Sequence, residues 1–189
     1  MKTPNIAKQV KTRAGVFIIE SLDFDDEKNL RFEGRILHDI LKLSGQQTEY
    51  WYVRTWKELK EAIFKRFWKS GLRYLHISCH GSKDTISLTL DDVTFEEFGS
   101  AIRGYLSERR LFFSACEVVN QALHDATILD SDCYSLVGPK YAINFDDAVI
   151  MWATFYHLML RDATAMKSKE IRRVLSVIET TFGQTFTYL

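Results

Sequence analysis

Apolar and polar positions along this chain fall into alternating blocks. Residues 15–20 (GVFIIE) form a nearly unbroken apolar run, the mark of a strand buried on both faces. Over 29–43, Leu30, Ile36, Leu37, Ile40 and Leu41 recur at helical spacing, and Gly45 stops the run. Residues 48–54 (TEYWYVR) are aromatic-rich and predict a second strand. Thr55 with Glu58 three positions on is a capping box for a helix over 56–69, with Leu59, Ile63 and Phe67 on one face and Gly71 at its end. A third strand, 72–79 (LRYLHISC), runs directly into His80-Gly81. Alternating Ile86, Leu88 and Leu90 predict a hairpin or edge segment within 82–92. Thr94 and Glu97 repeat the capping signal for a helix reaching about 107. A fourth strand over 111–115 (LFFSA) ends at Cys116, and 117–130 suits a helix. Residues 134–137 form a fifth strand closed by Gly138-Pro139, and two helices follow over 146–160 and 168–182. No internal repeat is visible.

Strands alternating with helices imply an α/β fold, a mostly parallel sheet with helices on both faces. Ligands of such sheets bind at the carboxyl ends of the strands, so residues 20–26, His80-Gly81, Cys116-Glu117 and Gly138-Pro139 carry most of the functional interest. The length of 189 residues sets the expectation of a single domain, with 1–13 as a flexible N-terminal arm. Lys+Arg and Asp+Glu are 25 each, and the zero net charge argues against direct nucleic-acid binding and electrostatic membrane attachment. No apolar run approaches the ~20 residues of a membrane span, and the N-terminus lacks a signal-peptide core, so a cytoplasmic location is expected. The three cysteines, Cys79, Cys116 and Cys133, match no disulfide framework and read as reduced thiols. The segment after the first strand (ESLDFDDE) lacks a phosphate-binding glycine fingerprint, which argues against a nucleotide cofactor.

The sharpest chemistry lies at two strand ends. If the third and fourth strands are neighbours, His80 and Cys116 meet at one edge of the sheet. A cysteine nucleophile with a histidine base needs that arrangement. The backbone N–H groups of Gly81 and Cys116 are candidates for an oxyanion hole. Taken alone, a buried cysteine at a strand end is most often inert packing.

The blocks LHISCHGS and LFFSACE, in this order, resemble the histidine and nucleophile blocks of clan CD cysteine peptidases. The link SLTLDDVTFEEFGSAI and the later YSLVGPKYAINFDDAVIMWATFYHLML, with Asp147-Ala148 and Phe155-Tyr156, resemble the CHAT branch, relatives of caspases and separases. The resemblance covers about 72–160 and implies a caspase-like three-layer sandwich with a five- or six-stranded sheet. It implies a cysteine endopeptidase with His80 as general base and Cys116 as nucleophile, needing no cofactor or metal. It also implies a protein substrate, a separate regulatory or sensor protein, and a role in a bacterial stress or defence pathway. In the CHAT pattern a small turn ending in Gly follows the cysteine. Here Glu117, Val118, Val119 and Asn120 follow, and two β-branched residues disfavour a turn at positive φ.

Asp23, Asp25, Asp26 and Glu27, after the first strand, read either as a solvated loop and helix start or as a pocket selecting a basic substrate side chain; Asp23 and Asp25 are the leading candidates, and Glu117 is a further one. His76, Cys79 and His80 invite a zinc reading, but alternation along a strand sends Cys79 to the opposite face. Packing is the expected role of His76, Cys79 and Cys133. Two rivals to the peptidase reading stay open: a catalytically silent interaction domain of the same fold, and an unrelated doubly wound domain binding a small ligand.

Overall fold

The computed structural model describes residues 11–129, 131–161 and 166–189. Residues 1–10 of the expected N-terminal arm lie outside them, and Arg13 already belongs to the first strand. That strand, β1 (Arg13–Glu20), pairs in parallel with β2 (Thr48–Tyr52) on one side and β3 (Leu72–Ser78) on the other. Next to β3 come β7 (Arg110–Ser114) and β8 (Ser135–Pro139), also parallel. A short antiparallel strand, β9 (Phe186–Tyr188), closes the far edge and gives a six-stranded sheet in the order β2-β1-β3-β7-β8-β9. The chain leaves β1 toward β2 and then returns across it to β3. The switch point between β1 and β3 opens a crevice at their carboxyl ends.

Each inner strand buries both faces, as its apolar run requires. Phe17, Ile19, Leu75, Ile77, Leu111 and Phe113 point to one layer, whereas Val16, Ile18, Tyr74, His76 and Phe112 point to the other. On the first face lie α3 (Trp56–Glu61), its continuation through a π-helical turn (Ala62–Phe67) into α4 (Trp68–Ser70), then α5 (Phe95–Ile102) and α6 (Gln121–Thr127). On the second lie α2 (Glu33–Leu43), α7 (Phe145–Leu160) and α8 (Ser168–Phe182). The result is a three-layer sandwich with one core on each side of the sheet.

Both capping boxes form, at Thr55/Glu58 and Thr94/Glu97, and Gly71 ends its helix in the left-handed region at φ 69°. Other boundaries depart from the periodicity. The expected helix over 29–43 starts only at Glu33, because a separate short helix, α1 (Phe24–Lys28), precedes it and Leu30 between them sits at φ 57°. The third strand stops at Ser78. His80-Gly81 instead forms β4, which pairs with β5 (Thr85–Ser87), itself paired with β6 (Asp92–Thr94), in a second small antiparallel sheet. Residues 117–120 are a loop and α6 begins only at Gln121. β9 carries no pattern long enough to read. Among the described residues, no helix is long and apolar enough to cross a membrane.

Candidate active site

Ser78 and Ser114 are register partners on β3 and β7. His80 and Cys116 each lie two positions further along their strands. Side chains alternate with period two, which brings both toward one side of the sheet end. They line one cavity of about 50 Å³, whose walls include Glu33, Ser114, Phe145 and Ala148. The ring of Phe145, the first residue of α7, meets the His80 ring edge-on at 5.7 Å. The two side chains named from the strand ends therefore share the lining of one cavity. The Cys116 thiol makes no hydrogen bond to the imidazole in this conformation.

A third group, which the sequence offers only as one of four acids after the first strand, completes the histidine's surroundings. Asp26, 4% exposed, accepts a hydrogen bond from His80 Nε2 on Oδ2 at 2.6 Å and holds Arg31 at 2.9 Å on Oδ1. With Arg31 on one oxygen and the ring on the other, the group acts as a carboxylate, which only accepts hydrogen bonds. The Nε2 atom therefore carries the proton and Nδ1 keeps the lone pair a base needs. Asp26 reaches this position because α1 is capped by Asp23, whose Oδ1 accepts from the Asp26 N–H at 2.8 Å. The D-x-x-D spacing of Asp23 and Asp26 was the available signal, an N-cap with its third residue.

The two aspartates singled out in the sequence have different surroundings. Asp23 is exposed, caps α1 and places Oδ2 3.7 Å from His80 Nε2. Asp25 is exposed, and its carbonyl accepts from Asn29. Asp23, Asp26 and His80 hold their ligand atoms within 4.8 Å of one another, the spacing of a possible cation site. The hydrogen bonds from His80, Arg31 and the Asp26 amide already account for that spacing. The expected separation of His76 from Cys79 holds: His76 packs in the α7 layer with Nδ1 3.0 Å from Tyr156 Oη, and Cys79 packs in the opposite core.

The loop after Cys116 solves the turn in its own way. Glu117 takes the left-handed conformation at φ 56°, ahead of the two valines. Val118 and Val119 are then buried, each against a glycine. A Cβ on Gly81 would stand 2.3 Å from Val118 Cγ2, and one on Gly138 2.5 Å from Val119 Cγ2. The absent side chain of Gly81 thus makes room for Val118. Asn120 caps α6 through Oδ1 and donates from Nδ2 to the carbonyls of Lys83 and Glu117, clipping this loop to the β4–β5 turn. The Glu117 carboxylate lies 3.8 Å from Lys83 and faces a groove of about 600 Å³ also lined by Asn120, Lys140 and Tyr141.

Two further carboxyls lie beneath the edge of the sheet. Glu20, at the end of β1, accepts from the Gly34 and Arg35 N–H groups at 2.6 and 3.2 Å and from Tyr50 Oη at 2.7 Å, so it caps α2, which has no side-chain cap of its own. Burial raises its pKa. Glu33 is fully enclosed, and burial pushes its carboxyl up to about 8. His76 beside it is pushed down to about 3 by burial. Burial also pushes the Cys133 thiol up to about 11 and the Cys79 thiol further.

No protein-family model matches the sequence, and no curated protein matches it significantly. Solved structures do match. Caspase-1 from Spodoptera frugiperda superposes with a TM-score of 0.62 at 12% identity, covering 95% of this chain and 86% of that one. The pro-sf-caspase-1 structure gives 0.59 at 9% identity, covering 100% and 94%. A secreted C11 cysteine protease from Bacteroides thetaiotaomicron, iotapain, gives 0.56 at 11% identity, covering 95% and 66%. The chain has the caspase-like fold.

Proposed function

We propose that this protein is a cysteine endopeptidase acting on a protein partner, of the CHAT type that the sequence blocks resemble. The observation that carries the reading is the lining of one cavity by Cys116 and by a His80 held through Nε2 by Asp26. In the proposed reaction His80 Nδ1 takes the Cys116 proton, and the thiolate attacks the scissile carbonyl. The backbone N–H groups of Gly81 and Cys116 receive the oxyanion. The imidazolium returns its proton to the leaving amine, and water then hydrolyses the acyl-enzyme. Asp23, 3.7 Å from His80, with the exposed Asp25 and with Glu117 in its groove, supports a preference for basic residues around the cut. A separate regulatory or sensor protein, a cytoplasmic location and a bacterial stress or defence setting follow from the resemblance alone.

One observation favours the silent alternative, a binding domain of the same fold: the thiol makes no hydrogen bond to the ring. Alkylation kinetics between pH 6 and 8, read by peptide mass spectrometry, separate the two. A working pair labels Cys116 ahead of the buried Cys79 and Cys133, and His80→Ala slows that labelling. Labelling that is indifferent to His80 would leave the binding domain.

A further inference from the structure

Two serines point into the α2–α7 layer at the ends of the two strands that lead to His80 and Cys116. Ser78 Oγ and Ser114 Oγ both donate to the same oxygen, Glu33 Oε2, each at 2.9 Å and each buried. Ser78 and Ser114 face each other across the β3–β7 ladder. The last backbone bond between the two strands is made one residue later, from Cys79 N–H to the Ser114 carbonyl at 3.1 Å. Beyond it they fork. His80-Gly81 joins the small antiparallel sheet, and the other strand turns away through Glu117. The Glu33 bridge therefore sits at the last rung before the fork, one alternation below the two reactive side chains.

We propose that Glu33 is a positioning residue, which ties the ends of β3 and β7 together and so sets the approach of His80 to Cys116. The proposal rests on the reading of His80 and Cys116 as a working pair. A buried carboxyl is a costly way to join two strands. Glu33 Oε1 has no hydrogen-bond partner, and neither has His76 Nε2 4.0 Å away. An apolar side chain with two alanines would fill the same layer without that cost. What the apolar version lacks is a fixed distance between the strands. That distance matters for a proton transfer, because a shift of about 1 Å can cost about 100-fold in rate. Glu33 is itself fixed from two sides: its N–H donates to the Arg31 carbonyl at 2.9 Å, and Arg31 is held by Asp26, the residue that orients His80.

The test compares Glu33→Leu, Glu33→Gln, Ser78→Ala and Ser114→Ala with His80→Ala in the full chain. The readouts are Cys116 alkylation and site-resolved amide exchange at Cys79 by NMR. Glu33→Leu is expected to slow alkylation about 10- to 100-fold and to speed exchange at Cys79 while the β1–β2 amides exchange as in wild type. Glu33→Gln keeps an acceptor for both hydroxyls and should restore both readouts to near wild type. Unchanged alkylation and exchange in Glu33→Leu would overturn the proposal, as would a glutamine that restores neither. If the leucine variant does not fold, the two serine variants decide. Each should slow alkylation, and the pair together should do little more than one alone, whereas two silent serine variants would overturn it. If His80→Ala leaves alkylation untouched, the reading of the pair falls, and exchange at Cys79 alone then decides the role of Glu33.

Discussion

Asp26 holds His80 by Nε2, so replacing its carboxylate with an amide presents a donor where the ring now donates. Asp26→Asn should therefore favour the opposite tautomer, occupy Nδ1 with the proton and remove the base that the proposed reaction needs. Cys116 alkylation at pH 7 is expected to fall by about 10-fold or more, with the circular dichroism spectrum unchanged. Two buried groups set opposite pH slopes on stability. Glu33 titrates at about 8 folded and near 4.5 unfolded, so the folded state holds the extra proton. Its contribution is fully present below pH 4.5 and is lost as pH rises toward 8, by up to about 1.4 kcal/mol per unit. His76 titrates at about 3 folded and near 6.5 unfolded, so its contribution is present above 6.5 and is lost as pH falls toward 3. Urea unfolding from pH 6.5 to 8, above the range where the His76 slope opposes it, should show the Glu33 slope in wild type and a flatter curve in Glu33→Gln, which cannot ionise. Neither shift was legible in the chain, because each depends on which residues α2 and α7 lay over the sheet.

The elements divide by what fixes them. Helices opened by a local cap, at Thr55 and Thr94, were legible because the signal and its partner lie three residues apart. α1 was not, since five residues give no helical period and the run FDDEK reads equally as solvated loop. The π-helical turn within 56–70 left no mark either, because its extra residue is accommodated by packing of Ile63 and Phe67 rather than by a local signal. At the loop after Cys116, the valines looked incompatible with a turn until Glu117 was seen to take the positive φ. Gly81→Ala should cost about 1–3 kcal/mol by overpacking against Val118, and Val118→Ala in the same chain should recover part of it, both read by thermal melts. Asn120→Asp offers a finer cut. It keeps the cap on α6 but loses the donor to Lys83 and Glu117, so Cys116 labelling should change more than the melting temperature. Asn120→Ala removes both roles and is expected to cost about 1 kcal/mol more.

The whole molecule was legible in outline because every inner strand is buried on both faces and announces itself as an apolar block. Parallel order, layers and the meeting of His80 with Cys116 follow from that and from the resemblance of two short motifs. The role of Asp26 was not legible, although it stands in the same acidic run as Asp23 and Asp25. Which of these acids turns inward is decided by one turn of α1 against the β1–β3 crevice, a property of packing. The far edge was equally silent, since β9 is three residues long and its partner β8 lies about fifty positions away. Phe186 in β9 packs edge-on against Trp152 at 5.5 Å, so Phe186→Ala should cost about 3 kcal/mol, visible as a melting temperature lower by about 6–12 °C. The seating of Val118 against Gly81 and of Val119 against Gly138 bears on lineage history as well. Each glycine and its valine occupy one shared volume, so neither position can drift alone. Among descendants of a common ancestor, a side chain gained at position 81 or 138 should arrive with a smaller residue at 118 or 119. Paired replacement of this kind would trace the nucleophile loop through sequences too divergent to align by identity.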